Sequence, residues 1–330
     1  MLWKRIKIGL FVLLALAILI PMGLYLNAID LSKTHRKKVD TLPMFTSSVD
    51  EGTYQLTANG YTFLVRVAGM QNDGEALILL HGFPESSIMW QPLLDAAAAR
   101  GYRVLAFDQR GYSPNARPSG VEYYHTDSLV QDVLAVANEV GFDTFHLVGH
   151  DWGSGVGWKT TMDYPERIRT WTAMAVPHIG LFFDAVINHP EQRERSAYIK
   201  RLQTPILPEF LFAVNQKSAF ERVKGIWKPH EIAEYKALLS EHGALTAAIN
   251  WYRAIDLDTK TIDPSLMQSI NRPTLFIWGK KDRIITHELV PQQANYIDTT
   301  FQTLPLDCGH SLMQEKTDSV LVGILEHLKL

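Results

Sequence analysis

Apolar and polar positions follow two rhythms along this chain. Apolar runs of strand length fall at residues 54–57, 61–67, 76–80, 102–107, 145–148, 170–176, 273–278 and 300–304. Bounded by turn residues, runs of this length predict buried strands. The first two flank Asn59-Gly60, a pair suited to a tight hairpin because both residues tolerate positive φ. Helical spacing marks residues 88–100, 126–140, 154–163 and 313–328, with Leu129, Val133, Val136 and Val140 forming one apolar stripe. Alternation of this kind predicts an α/β fold, a mostly parallel sheet covered by helices. Between residues 177 and 263 the pattern turns helical and aromatic-rich, with few strand candidates. The domain reading is therefore a core at 49–176 and 264–330 interrupted by a helical cap at 177–263. No internal repeat or low-complexity segment is present.

The N-terminus departs from both rhythms. Lys4, Arg5 and Lys7 precede an uncharged apolar run at residues 8–26, close to the roughly 20 residues that cross a bilayer core as a helix. A signal peptide is the rival, but its apolar region is usually shorter, and no small-x-small cleavage site is evident. Residues 1–28 are thus expected to be an uncleaved, single-pass membrane anchor. Residues 29–48 turn polar and basic and are expected to be a juxtamembrane linker. Lys33, Arg36, Lys37 and Lys38 compete with the N-terminal cations in setting orientation. The short N-terminal tail favours a catalytic domain outside the cytoplasm.

Composition narrows the field only a little. A 330-residue chain with 46% hydrophobic residues can bury a sizeable core. Its formal net charge of -3 gives nucleic acid binding no support. Cys308 is the single cysteine, which excludes an intrachain disulfide and a thiol-rich zinc site. The sequence leaves the oligomeric state open.

The candidate chemistry sits on loops that leave strand ends, where ligands of open α/β sheets collect. The strand at 145–148 runs into Gly149-His150-Asp151-Trp152-Gly153, and a helix follows. A small-x-nucleophile-x-small pentapeptide between strand and helix is a nucleophile elbow, in which serine is the usual central residue. Here the centre is Asp151. A carboxylate is already ionised near neutral pH, so it can attack carbon without a base and form an ester. That favours displacement at saturated carbon over serine-type acyl transfer. Asp282 follows the strand at 273–278, and His310 follows the strand at 300–304. Nucleophile, acid and histidine in this order form a triad, with His310 as general base and Asp282 orienting it. Asp307 lies nearer to His310 in sequence, but its position within the same loop makes it the poorer partner. The backbone N–H of Trp152, after the nucleophile, and that of Phe83, in His81-Gly82-Phe83-Pro84, are the candidate oxyanion hole. Phe83 and Trp152 are also candidate substrate contacts.

His81-Gly82-Phe83-Pro84-Glu85, Asp108-Gln109-Arg110-Gly111-Tyr112 and the elbow together resemble the epoxide hydrolase branch of the α/β-hydrolase superfamily. Gly279 to Asp282 and Cys308-Gly309-His310 match it too, and the likeness spans about residues 50–330. Tyr198 to Pro205 and Asn250-Trp251-Tyr252-Arg253 resemble the two cap tyrosine segments of that family. The resemblance implies that Tyr198 and Tyr252 hold the epoxide oxygen, that no metal or organic cofactor is needed, and that the substrate is a small apolar epoxide. Ser311 stands where many relatives carry a bulky aromatic residue. Leu202 and Thr204 also depart from the first cap segment. Haloalkane dehalogenases share the first three motifs and the ester chemistry, so they are the nearest alternative. Trp152 suits a halide, but Phe83 has no side-chain donor. A membrane-tethered binding protein without activity is a third reading.

Overall fold

The computed structural model describes residues 32–221, 223–256 and 262–330. Its eight strands are β1 (Gly52–Ala58), β2 (Tyr61–Ala68), β3 (Ala76–Leu80), β4 (Arg103–Phe107), β5 (Phe145–His150), β6 (Ile168–Met174), β7 (Thr274–Gly279) and β8 (Phe301–Leu306). They form one sheet in the order β1-β2-β4-β3-β5-β6-β7-β8. The β1–β2 hairpin and the β2–β4 pair are antiparallel, and every later pair is parallel. Asn59 and Gly60 both take positive φ at the hairpin turn. The central strands are apolar without alternation, and β3 is buried at every position. A strand covered by helices on both faces requires that pattern.

The described part of α1 covers residues 32–40. Helices α2 (Gln91–Ala98), α3 (Thr126–Glu139) and α4 (Trp152–Asp163) pack on the sheet, α4 against β5 and β6. The cap follows β6 as α5 (Ile179–Asn188), α6 (Pro190–Arg195), α7 (Ala197–Gln203), α8 (Leu207–Glu221), α9 (Pro229–Leu239) and α10 (Ala244–Arg253). Short α11 (Leu289–Gln292) and α12 (Leu312–Glu315) precede the C-terminal α13 (Thr317–His327). On one face of the sheet Trp158 of α4 packs edge-on against Trp171 of β6, with ring centroids 5.6 Å apart. That contact needs Gly157, because a Cβ there would meet the Trp171 ring at 2.0 Å. The opposite face buries Leu77, Leu79 and Ile277 against Leu93 and Ile324.

The N-terminal region differs from its expected layout. The anchor expected at residues 1–28 lies outside the described residues. Among the described residues no helix is long and apolar enough to cross a membrane. The segment expected as a linker is helical over residues 32–40 and docked on the body. His35 and Val39, one turn apart, are buried. The His35 Nδ1 lies 2.5 Å from Glu241 Oε1, and Arg36 donates to Asn115 Oδ1 at 2.5 Å. Helical spacing put these groups on one face, and cap and core supplied their partners.

Candidate active site

Parallel pairing of β5, β6, β7 and β8 brings their carboxyl ends to one edge of the sheet. Asp151 follows β5 with φ 54 and ψ -118 and caps the N-terminus of α4. A non-glycine residue rarely adopts positive φ, and such strain persists only where the surroundings enforce it. The glycines provide that enforcement. A Cβ on Gly149 would lie 2.3 Å from the Gly153 carbonyl oxygen, and one on Gly153 would lie 2.2 Å from that of Leu80. Strand and helix therefore meet at a separation that no other residue permits. Gly82 plays the same part opposite, where a Cβ would stand 2.4 Å from the Asp151 Cβ.

The turn aims the Asp151 carboxylate at two groups. Its Oδ1 accepts the Phe83 backbone N–H at 2.9 Å. Its Oδ2 lies 3.3 Å from His310 Nε2. His310 Nδ1 donates to Asp282 Oδ2 at 2.7 Å, which fixes the ring's orientation. Asp282 Oδ1 in turn accepts the Ile284 N–H at 2.7 Å. The other acid, Asp307, pairs instead with the exposed Lys281 at 2.9 Å. Trp152 opens α4, so its N–H belongs to the first turn and has no acceptor within the helix.

The charges in this cluster support one another. Burial disfavours the His310 imidazolium, but the Asp282 and Asp151 carboxylates outweigh it and hold the His310 pKa well above the ordinary histidine value. Burial likewise opposes ionisation of Asp151. His310, His150 and the Phe83 N–H reverse that effect and bring its carboxyl below the usual range. Asp282 is lowered too, with burial offset by His310 and two backbone N–H groups. The resting site is a carboxylate, imidazolium, carboxylate array.

Both cap tyrosines reach the site. Tyr198 on α7 and Tyr252 on α10 are edge-on neighbours, with ring centroids 6.1 Å apart. Burial and the Asp151 charge push both phenols well above their ordinary pKa, so both remain proton donors. Gln203 holds the pair together by donating to the carbonyls of Tyr252 at 2.9 Å and Ile255 at 2.8 Å. Trp251 fastens α10 to the core through its indole N–H, 2.8 Å from the Arg110 carbonyl. Phe83 and Trp152 pack edge-on against Tyr252, at 5.6 and 5.0 Å. Between carboxylate and phenols lies a cavity of about 40 Å³, lined otherwise by Val176, Ile179, Phe182, Ile199 and Ile284. Ser311, which stands where many relatives carry an aromatic residue, accepts the indole N–H of Trp227 at 3.0 Å.

Sequence reasoning quoted Glu85 and His150 within motifs and gave them no task. In the structure His150 Nε2 donates to the His310 backbone carbonyl at 2.8 Å, and Nδ1 faces Glu85 Oε2 at 2.9 Å. Gln314 donates to the other Glu85 oxygen at 2.7 Å. Both His150 nitrogens thus face acceptors, which favours the imidazolium. Although burial opposes it, Glu85 raises the His150 pKa. This chain of bonds holds the loop that carries the triad histidine. A carboxylate four residues beyond His81 was the only sequence signal for it.

A model of the alpha/beta hydrolase fold family matches residues 75–317. The AB hydrolase superfamily protein YfhM of Bacillus subtilis is 31% identical over 284 residues, covering 83% of this chain and 96% of that protein. Epoxide hydrolase 4 of Homo sapiens is 30% identical over 278 residues, with 80% of this chain and 75% of that protein covered. A Bacillus megaterium epoxide hydrolase, solved in complex with an inhibitor, superposes with a TM-score of 0.75 at 26% identity. That likeness covers 84% of this chain and 100% of the other. Fold, family match and relatives agree, and the chain belongs to the alpha/beta hydrolase family, in its epoxide hydrolase branch.

Proposed function

We propose that this protein hydrolyses an apolar epoxide to a vicinal diol through an ester on Asp151. The observation that carries the reading is a carboxylate at the elbow, held by His310 and Phe83, facing the phenols of Tyr198 and Tyr252 across one cavity. Asp151 Oδ2 attacks a ring carbon, and the C–O bond breaks toward Tyr198 and Tyr252. Their hydroxyls stabilise the departing alkoxide and protonate it. Esterification removes the charge of Asp151, one of the two anions that keep His310 protonated. The His310 pKa then falls, its proton passes to the tyrosinate left by the first step, and the neutral ring accepts a proton from water. Hydroxide attacks the ester carbonyl, whose oxygen is the Oδ1 already bonded to the Phe83 N–H. The N–H groups of Phe83 and Trp152 stabilise the oxyanion, which collapses as His310 protonates the departing diol oxygen; the Asp151 acid then returns a proton to His310, and the starting charges are restored.

The cavity is lined by Phe182 and Phe183, which a bulky epoxide would contact. We also propose that residues 8–26 anchor the chain in a membrane with the catalytic domain outside the cytoplasm. The uncharged run behind three cations supports that reading. Loss of the chain from membranes at alkaline pH would refute the anchor.

A screen of aliphatic and aryl epoxides beside chloro- and bromoalkanes, read out as diol and as halide, tests the reaction. Diol release is the expected result. Halide release without diol would move the chain to the dehalogenases, and a folded protein inert on both classes would refute catalysis.

A further inference from the structure

Of the exposed large apolar side chains among the described residues, four fall within six positions. Ile206, Leu207, Phe210 and Leu211 are 78%, 49%, 59% and 46% exposed. The others, such as Val322 and Met44, are scattered singly, as surface hydrophobics ordinarily are. Residues 206 and 210, like 207 and 211, are one helical turn apart, so the four share one face where α8 begins. Ile206 has φ 66, a conformation that a β-branched residue avoids. The fold thus presents this face to the exterior by a strained turn and leaves the apolar side chains uncovered.

Lys200 and Arg201 on the preceding α7 are exposed cations. The acid within the patch, Glu209, is neutralised by Arg253 at 2.8 Å. Apolar residues at the tip with cations at the rim suit an anionic bilayer surface, where aliphatic groups enter the acyl boundary and lysine and arginine meet headgroups. The apolar run at residues 8–26 is an independent sign that the chain works at a membrane.

We infer that the start of α8 is a second membrane contact, through which the cap dips into an anionic lipid surface and draws its substrate from the bilayer. The patch is joined to the reaction machinery at both ends. It follows the α7 helix that carries Tyr198 after two residues. Through the Glu209–Arg253 pair it meets α10, where Arg253 is the neighbour of Tyr252. The part of the inference that concerns substrate rests on the proposed epoxide chemistry, whereas the lipid contact stands without it.

The test uses the full chain, whose single native cysteine, Cys308, is buried and spared by labelling. Phe210→Cys and, as a control, Val322→Cys carry an environment-sensitive fluorophore. Each is mixed with phosphatidylcholine vesicles containing phosphatidylglycerol, with ordinary or brominated acyl chains. The probe at 210 should shift to the blue and be quenched by brominated chains, whereas the probe at 322 should show neither effect. An unquenched 210 probe on vesicle-bound protein would overturn the inference. So would equal quenching at both sites, or a blue shift without vesicles that grows with protein concentration. Separately, Ile206→Ser combined with Phe210→Ser should slow turnover of a long-chain epoxide carried in vesicles by about five-fold, with a small water-soluble epoxide unaffected. Equal losses on both substrates would contradict the link to substrate supply.

Discussion

The ionisation of His310 depends on two anions, and the proposed ester on Asp151 would remove one of them. With Asp151 and Asp282 both charged, the imidazole keeps its second proton. Replacing Asp151 by Asn imitates the charge of the ester, so Asp151→Asn should lower the His310 pKa, measured by NMR titration of its ring nitrogens. An unchanged value would break the proposed coupling of alkylation to base formation. In the proposed mechanism the phenols act earlier. Tyr198→Phe and Tyr252→Phe should each slow single-turnover alkylation by about 10²- to 10³-fold, the usual range for loss of one donor to a developing oxyanion. Choosing Asp282 over Asp307 from the sequence rested on position after a strand, and the structure places Asp282 against His310 and Asp307 in solvent. The Glu85 and His150 support was not legible. Its meaning depends on a contact between residue 150 and the backbone of residue 310, which no local pattern encodes.

Strands and turns were more readable than their supports. The apolar runs located β3, β5 and β7 because strands buried on both faces tolerate few polar residues. The elbow was equally plain, since its glycines answer a local steric demand. Gly153→Ala should therefore destabilise the fold by about 1–3 kcal/mol, the usual penalty for overpacking, or more if β3 cannot yield. A urea midpoint equal to that of the unaltered protein would contradict the close approach of α4 to Leu80. The helix over residues 32–40 escaped a reading based on charge, because its cations dominate the composition. Its fixation comes from Glu241 and Asn115, far away in sequence. The pairing of Tyr198 with Tyr252 was accessible only through family resemblance, since spacing alone does not separate a lid tyrosine from a packing one.

Over the whole molecule the triad links stability to pH. The folded state raises the pKa of His310, so that contribution is complete below about 6.5 and is lost as pH climbs through the raised value. Asp151 and Asp282 are lowered on folding, so their contribution is complete above about 3.9 and is lost as pH falls through the depressed values. Stability from this cluster should be greatest between those limits. Urea midpoints recorded across pH should show the unaltered protein losing more stability on the alkaline side than His310→Gln. Parallel curves would mean that His310 does not titrate as described.

One covalent bond decides the account. The His310→Gln variant keeps the nucleophile and the phenols but lacks the base that clears the ester. After exposure to a reactive epoxide, the peptide containing Asp151 should gain the mass of that epoxide, and Asp151→Asn should abolish the gain. Diol production with that peptide unmodified would contradict the mechanism.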